Sequence, residues 1–356
     1  MSAEQITKVE PYRQLTYPRV LETQIHPRLK DSTLEIIKRS KAEKHDSLLC
    51  EIMIFLQRFS VDDNACGEWI YINTQKRARY IQALGDKDKD VLSDLFLNFF
   101  LDEATYGLIS PAYIESAHDK IINQLLLDLD SCKEFTDFNS LDALMVTNPI
   151  NSAYGLSIQN SVILPDSPRH YYFAARIADL LKDKQSPKFA EIGAGYGGLI
   201  YFLKQFNPNL IVYDIDLPET LIVCFYFLNI QDIPAHFVYA TDDLRDDSVN
   251  LIPSSLYKDI LANAQTDMAF NMHSFSEMGQ ETVADYLHFI QEQLKPQFIY
   301  HQNSNFDCFP NSERHIECLA RDFPIAKDYH KISASISPFI CGSGRYREYL
   351  FSKTQL

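Results

Sequence analysis

Three glycines stand at a spacing that lets a backbone turn close around a ligand. Gly193, Gly195 and Gly198 read G-x-G-x-x-G within Glu191-Ile192-Gly193-Ala194-Gly195-Tyr196-Gly197-Gly198. The run follows a short apolar stretch, Phe189-Ala190-Glu191-Ile192, and opens another segment with helical character. That is the strand-to-helix context a ligand-cradling turn requires. Asp216 ends the next apolar run, 21 residues after Gly195. A carboxylate there can accept both hydroxyls of an adenosine ribose. Dinucleotides and S-adenosylmethionine share this arrangement.

Glu191 helps to separate the two ligands. It lies two residues before the first glycine. A pyrophosphate beside an anionic side chain is costly. S-adenosylmethionine has no phosphate and carries an ammonium and a sulfonium, which an acid attracts. The same glycines also allow a third outcome, a tight turn with no ligand.

Two further segments add specificity. Tyr213-Asp214-Ile215-Asp216-Leu217-Pro218-Glu219 carries Asp-Leu-Pro after the second strand, and Asn271-Met272-His273-Ser274-Phe275-Ser276-Glu277-Met278 follows the fourth. In this order, the three segments resemble class I S-adenosylmethionine-dependent methyltransferases and, among them, the sugar O-methyltransferase family. The resemblance covers residues 150–356. It implies that Gly193 and Gly195 admit the methionine moiety, that Glu191 lies near its ammonium, that Asp216 binds the ribose and that Leu217 packs beside the adenine. Asp242, in Ala240-Thr241-Asp242-Asp243, is the candidate for the adenine amino group; the bland alternative is that this acidic pair caps a turn. Asn271 joins the cofactor set. The implied activity is O-methyl transfer to a hydroxyl of a sugar or related small polyol. Two rivals remain: a dinucleotide-dependent oxidoreductase, and a catalytically inactive methyltransferase-fold partner in a biosynthetic complex.

Methyl transfer from a sulfonium is an in-line displacement, and an alcohol acceptor needs a base to take its proton. In an open parallel sheet the ligand lies outside the C-terminal strand ends. His273 and Glu277 follow the fourth strand, and His301 with Asn303 end the fifth. His273 is the leading base, because imidazole titrates near neutrality. Glu277 is divided between substrate contact and a capping box, Ser274-x-x-Glu277. His301 and Asn303 are candidates for holding acceptor hydroxyls, as against ordinary polar strand ends. Tyr154, Arg169, His170 and Tyr172 flank the first motif and are candidates for the acceptor pocket. No HExxH occurs, and the acids Asp242-Asp243 and Asp246-Asp247 read as a solvated turn. No metal is expected.

The elements that position these groups divide the chain in two. Residues 1–150 read as helices, a cap or dimerisation domain. Leu48, Ile52, Phe55, Leu56 and Phe59 share one helical face, as do Val91, Leu95, Phe96 and Phe99, and Ile121, Leu125 and Leu126. The turn-rich stretch after Pro149 connects to residues 151–356, the S-adenosylmethionine-binding domain. There a helix is expected over Arg169–Lys182, then strands at FAEI, LIVYDID, HFVYAT, DMAFNMH and QFIYHQ. Pro218 suits a first helical turn, and Val283, Leu287, Ile290 and Leu294 mark another helix. KISASIS and YREYLF flank a Gly342-Ser343-Gly344 turn as a closing hairpin. The expected fold is therefore α/β, a Rossmann-like class I methyltransferase sheet. It is mostly parallel, ends in an antiparallel C-terminal hairpin strand and is preceded by a helical domain.

Composition bounds the partners. A net charge of -15 argues against a nucleic-acid backbone, which needs clustered cations. No segment approaches the roughly 18 apolar residues of a membrane span. The seven cysteines include no CxxC pair, which fits a reducing cytoplasm. A small acceptor is expected, and the apolar N-terminal helices would suit a homodimer.

Overall fold

The computed structural model describes residues 31–59, 65, 67–100, 102–108, 118–136, 138, 140–146, 156–158, 161–305, 318–339 and 346–354. Five helices come first: α1 (Asp31–Arg58), α2 (Glu68–Tyr71), α3 (Ala78–Asp86), α4 (Lys89–Leu97) and α5 (His118–Phe135). A two-stranded hairpin, β1 (Leu156–Ile158) and β2 (Ser161–Ile163), leads to α6 (Ser167–Leu180). Then follow β3 (Lys188–Ile192), α7 (Gly198–Phe206), β4 (Ile211–Asp216), α8 (Pro218–Ile230), β5 (Ala235–Phe237) and β6 (Val249–Pro253). The chain continues through α9 (Tyr257–Ile260), β7 (Met268–Met272), α10 (Gln280–Phe289), β8 (Phe298–Ser304), β9 (His330–Ile336) and β10 (Tyr346–Ser352).

Eight strands form one sheet in the order β5-β6-β4-β3-β7-β8-β10-β9. The pairs from β5 to β8 are parallel, and β10 runs antiparallel to both β8 and β9. β4 shows why the sheet is covered on both faces. Val212 enters one apolar cluster, while Ile211, Tyr213 and Ile215 enter the other. A near-continuous apolar strand needs cover on each side.

The N-terminal helices are where they are because of α8. Its residues from Leu221 to Leu228 are all buried, on every side of the helix. A helix that is apolar all round needs cover on its outer side as well. α1 and α4 supply it. Phe55 stacks on Phe237 with ring centres 4.0 Å apart, and Phe96 on Tyr226 at 4.6 Å. The His45 Nδ1 lies 2.7 Å from the Tyr226 hydroxyl. Leu48, Ile52, Phe55 and Leu56 thus bury their shared face inside this chain.

Three strand assignments changed. HFVYAT contributes only Ala235–Phe237, at the sheet edge. The strand beside β4 is instead β6, in Val-Asn-Leu-Ile-Pro. Its signal is masked by Asn250 and Pro253. Asn250 is fully buried, and its amide donates to the Val212 and Arg245 carbonyls at 3.0 and 2.9 Å. The connector also holds the short β1–β2 hairpin. The closing pair β9–β10 forms where expected, with the Gly342–Gly344 turn outside the described residues. No helix among the described residues is long and apolar enough to cross a membrane.

Candidate active site

The glycine turn joins β3 to α7 at the C-terminal edge of the sheet. Gly193 and Gly195 have φ of 77° and 62°, a backbone region that a side chain strains. A Cβ on Gly193 would also lie 2.4 Å from the Ser274 Oγ, so the turn after β7 can approach only a glycine. Beside it, Asp216 uses both carboxylate oxygens. Oδ2 accepts the Gly195 N–H at 3.1 Å, and Oδ1 accepts the Leu217 N–H at 2.7 Å. Burial pushes the Asp216 carboxyl above its ordinary range; the two N–H donors oppose the shift, Glu219 adds to it and Arg77 opposes it.

A cleft of about 920 Å³, counted to its open mouth, runs over this turn. Gly193, Gly195, Asp216, Leu217, His273 and Glu277 line it. Ser254, the first residue after β6, joins them, and its N–H donates to the Asp216 carbonyl at 2.9 Å. Arg169 and His170 enter from the start of α6. The cleft therefore spans the ends of β6, β4, β3 and β7.

His273 stands at the end of β7 with φ 70° and ψ -41°. A non-glycine residue held there costs about 1–3 kcal/mol, and such strain clusters at functional sites. Its N–H donates to the Gln302 carbonyl at 2.8 Å, which fixes the bend. Its ring packs at a tilt of 38° against Tyr346 with centres 4.6 Å apart, and Nε2 is buried without a hydrogen-bond partner. Burial and the nearby Arg169 hold its pKa well below the usual histidine value, while the Gln302 side chain acts the other way. The ring is neutral at pH 7.

The other candidates are placed differently. Glu191 is 1% exposed, faces Asp214 across the β3–β4 register and lies outside the cleft lining. Burial, then Asp214 and Asp216, raise its pKa well above the carboxylate range. Asp242 is exposed on the turn Thr241–Asp243 beyond the edge strand, because β6 and not HFVYAT flanks β4. Asp243 caps that turn, its Oδ2 accepting the Tyr239 and Ala240 N–H groups at 2.9 and 3.0 Å. Ser254 occupies the cleft position expected of Asp242.

Asn271 ties strands together. Its amide donates to the Ile192 carbonyl at 2.8 Å, and its Oδ1 accepts from Asn303 at 2.8 Å. Asn303 in turn accepts the Ser276 N–H at 3.1 Å. These bonds hold the turn that carries His273. His301 shares a sheet face with Asn271 and Asn303 but lies outside the cleft lining, packed between Phe323 and Tyr349 with ring centres 4.8 and 5.2 Å away. Burial pushes its pKa down to about 3. Glu277 is not the third residue of a capped helix. Ser274 donates to the Ile192 carbonyl at 3.1 Å, and α10 begins only at Gln280. Glu277 Oε2 accepts the Trp69 indole N–H at 3.0 Å. Tyr172 bonds Glu348 at 3.0 Å, away from the cleft, and Tyr154 lies outside the described residues.

The N-terminal region supplies residues the motifs did not point to. Trp69, Gly107 and Leu108 line the cleft. Behind them, Asn73 donates to Glu219 Oε1 at 2.7 Å, and the Tyr80 hydroxyl donates to the Glu219 carbonyl at 2.7 Å. Arg77 is fully buried between the Trp69 and Tyr80 rings. Trp69 is the one tryptophan in the chain, but nothing local in the sequence ties it to the cleft.

The fold is a Rossmann-like α/β sheet, mostly parallel and closed by antiparallel pairing at its C-terminal end. No family model and no curated protein matches the chain. Among solved structures it is similar to the methyltransferase domain of bacterial CtHen1, at 16% identity and TM-score 0.37, covering 51% of this chain and 97% of that one. It is also similar to a candidate O-methyltransferase from Klebsiella pneumoniae, at 13% identity and TM-score 0.37, covering 65% and 89%. TrmN from Thermus thermophilus matches at 12% identity and TM-score 0.36, covering 52% and 49%.

Proposed function

We propose that the chain is an S-adenosylmethionine-dependent O-methyltransferase acting on a hydroxyl of a sugar or related small polyol. The observation that carries this is Asp216, a carboxylate fixed by two backbone donors at the end of β4, on the cleft wall beside the glycine turn. Two vicinal ribose hydroxyls are its natural partners. Leu217 and Ser254 would flank the adenine, and Gly193 and Gly195 the methionine. Among the described residues, the basic side chain lining the cleft is Arg169, which enters from α6 and not from the Asp216 side.

His273 is the base in this proposal. The neutral imidazole would take the acceptor proton as the acceptor oxygen bonds the methyl carbon. The carbon–sulfur bond breaks, and its electron pair stays on sulfur, giving neutral S-adenosylhomocysteine. Trp69 and Glu277 would form the acceptor side, an aromatic face and a hydrogen-bonding acid suited to a hydroxylated ring. Calorimetry with S-adenosylhomocysteine tests the cofactor half: micromolar binding is expected, and none at millimolar ligand sinks it. Labelled methyl transfer to a panel of sugars, polyols and phenols tests the acceptor half.

A further inference from the structure

The proposed base has a neighbour that no motif marks. Gln302 lies in β8, opposite Met272 of β7 and Glu348 of β10. Alternation along β8 puts it on the face of Tyr300, which packs against Phe173 of α6. His273 follows Met272 and by alternation would face the other way. Its φ of 70° breaks the alternation. The ring instead meets Tyr346 of β10, and Arg169 and His170, at the start of α6, act on it electrostatically. The bend thus brings the imidazole and the Gln302 side chain to the same side of the sheet.

Two atoms there are orphaned. His273 Nε2 and Gln302 Oε1 are both buried, and neither completes a hydrogen bond. Buried polar atoms are seldom left so, and one bond between these two satisfies both. It requires the carboxamide oxygen, not the nitrogen, toward the ring. Glu348 decides that orientation. Burial raises the Glu348 pKa, and Tyr300, Arg176, Ser337 and Tyr172 oppose the rise. The Tyr300 and Tyr172 hydroxyls donate to its Oε2 at 2.8 and 3.0 Å, and Ser337 acts on the carboxyl as a further donor. With its proton turned to Glu348, the Ser337 hydroxyl can only accept from Gln302. It accepts from Gln302 Nε2 at 2.5 Å and from the Phe339 N–H at 3.4 Å. Oε1 is the end of the carboxamide left for His273. Burial and Arg169 lower the imidazole pKa, and hydrogen bonding by the Gln302 side chain opposes them.

We propose that Gln302 is a positioning residue for the base: its Oε1 accepts the His273 Nε2–H, which fixes the tautomer and leaves the Nδ1 lone pair for the acceptor proton. This rests on the proposed function, in which His273 is the base. His273 lines the cleft while Nε2 is shut away from it, so Nδ1 is the nitrogen that can meet an acceptor. As the methyl group transfers, the acceptor O–H bond breaks and an Nδ1–H bond forms. The Nε2–H stays on the ring, and Gln302 takes no proton. A neutral carboxamide orients the ring without the large rise in pKa that a carboxylate would bring, so the imidazolium gives its proton up readily between turnovers.

The test is nitrogen-15 NMR of the full chain labelled at histidine, near neutral pH, which reads the tautomer without an acceptor. The His273 signals are assigned by their loss in His273→Asn. Wild-type protein should carry the proton on Nε2. Gln302→Met keeps the size and removes the acceptor, and should shift the tautomer ratio toward Nδ1–H by about tenfold. Gln302→Glu restores an acceptor and should return the Nε2–H form, with a higher imidazole pKa. A merely structural role would move Tm and leave the tautomer alone. An Nδ1–H wild type, or a Gln302→Met spectrum equal to wild type, overturns the inference. Should Gln302→Met not fold, Ser337→Ala releases the carboxamide; a mixture of tautomers supports the inference, and an unchanged ratio overturns it. Failure of wild-type protein to bind S-adenosylhomocysteine sinks the proposed function by a separate measurement, whereas an Nδ1–H tautomer in protein that binds it removes Gln302 alone.

Discussion

Asp216 and Gly195 hold each other in place: the carboxylate Oδ2 accepts the Gly195 N–H at 3.1 Å, across a turn that only the positive φ of Gly195 allows. Asp216→Ala therefore removes the proposed ribose partner and leaves two N–H donors unpaired. Each charge-assisted bond is worth about 1.5–3 kcal/mol, so affinity for S-adenosylhomocysteine should fall at least about thirtyfold. Calorimetry measures it; a change under about threefold would remove Asp216 from the cofactor site.

The same carboxyl sets a pH dependence. Burial raises its pKa in the free protein. Ribose hydroxyls donate to the ionised form, so binding needs the proton gone. Affinity for S-adenosylhomocysteine should rise with pH through the raised pKa and level off above it. Titrations between pH 5 and 8.5 show the slope. Asp216→Asn should abolish it, and a slope that persists assigns the proton elsewhere.

Glu191 and Asp214 carry a related cost. Glu191 Oε2 is buried without a hydrogen-bond partner, and burial raises the pKa of both Glu191 and Asp214 well above the carboxylate range, opposed at Asp214 by Cys224 and the Ala194 N–H. The sign follows from linkage: the folded state keeps protons that the unfolded chain has lost, so stability falls as pH rises from the unfolded pKa to the folded one. Glu191→Gln removes one such group without changing its shape. The variant's Tm should match wild type near pH 4.5 and exceed it by pH 8. Parallel Tm curves would show that Glu191 ionises freely in the folded protein.

Phe55→Ala tests whether α1 belongs to the core. Phe55 is fully buried and stacks on Phe237 and on Phe59 at 4.0 and 4.8 Å. Truncation should cost about 3–5 kcal/mol. Denaturant unfolding should show it as one transition with a lower midpoint. A separate low-stability transition would mean that α1 folds apart from the sheet.

These sites also show what the sequence could reveal. Asp216 and the glycine turn were legible because their geometry is local: a strand, a turn and the next strand end. Glu191 was misplaced because its neighbour Asp214 lies across the sheet, and side-chain burial there depends on α8 and on what covers α8. Asp242 and His301 lie outside the cleft lining. A strand interrupted by Asn250 hid β6, which puts Asp242 beyond the edge strand, and His301 is enclosed by Phe323 and Tyr349, which are distant in sequence. Trp69 was invisible as a site residue, since nothing local ties position 69 to Glu277, 208 residues away.

His273 joins local strain to distant support. Its φ of 70° is held by the Gln302 carbonyl and by the Asn271–Asn303–Ser276 bonds beneath it. His273→Asn should lower kcat by about 10²-fold or more, the usual loss for a missing general base, and leave cofactor affinity within about twofold. Because burial holds the folded pKa well below that of a free imidazole, the base is unprotonated at neutrality, and kcat should fall only as pH drops through that lowered value. His273→Gly relieves the backbone as well as removing the ring, so it should lose activity with less stability cost than His273→Ala, which keeps a Cβ at positive φ. Comparing the two Tm values isolates the strain. Equal Tm values would mean that the bend at 273 costs nothing, and unchanged turnover in either variant would take the base from His273 altogether.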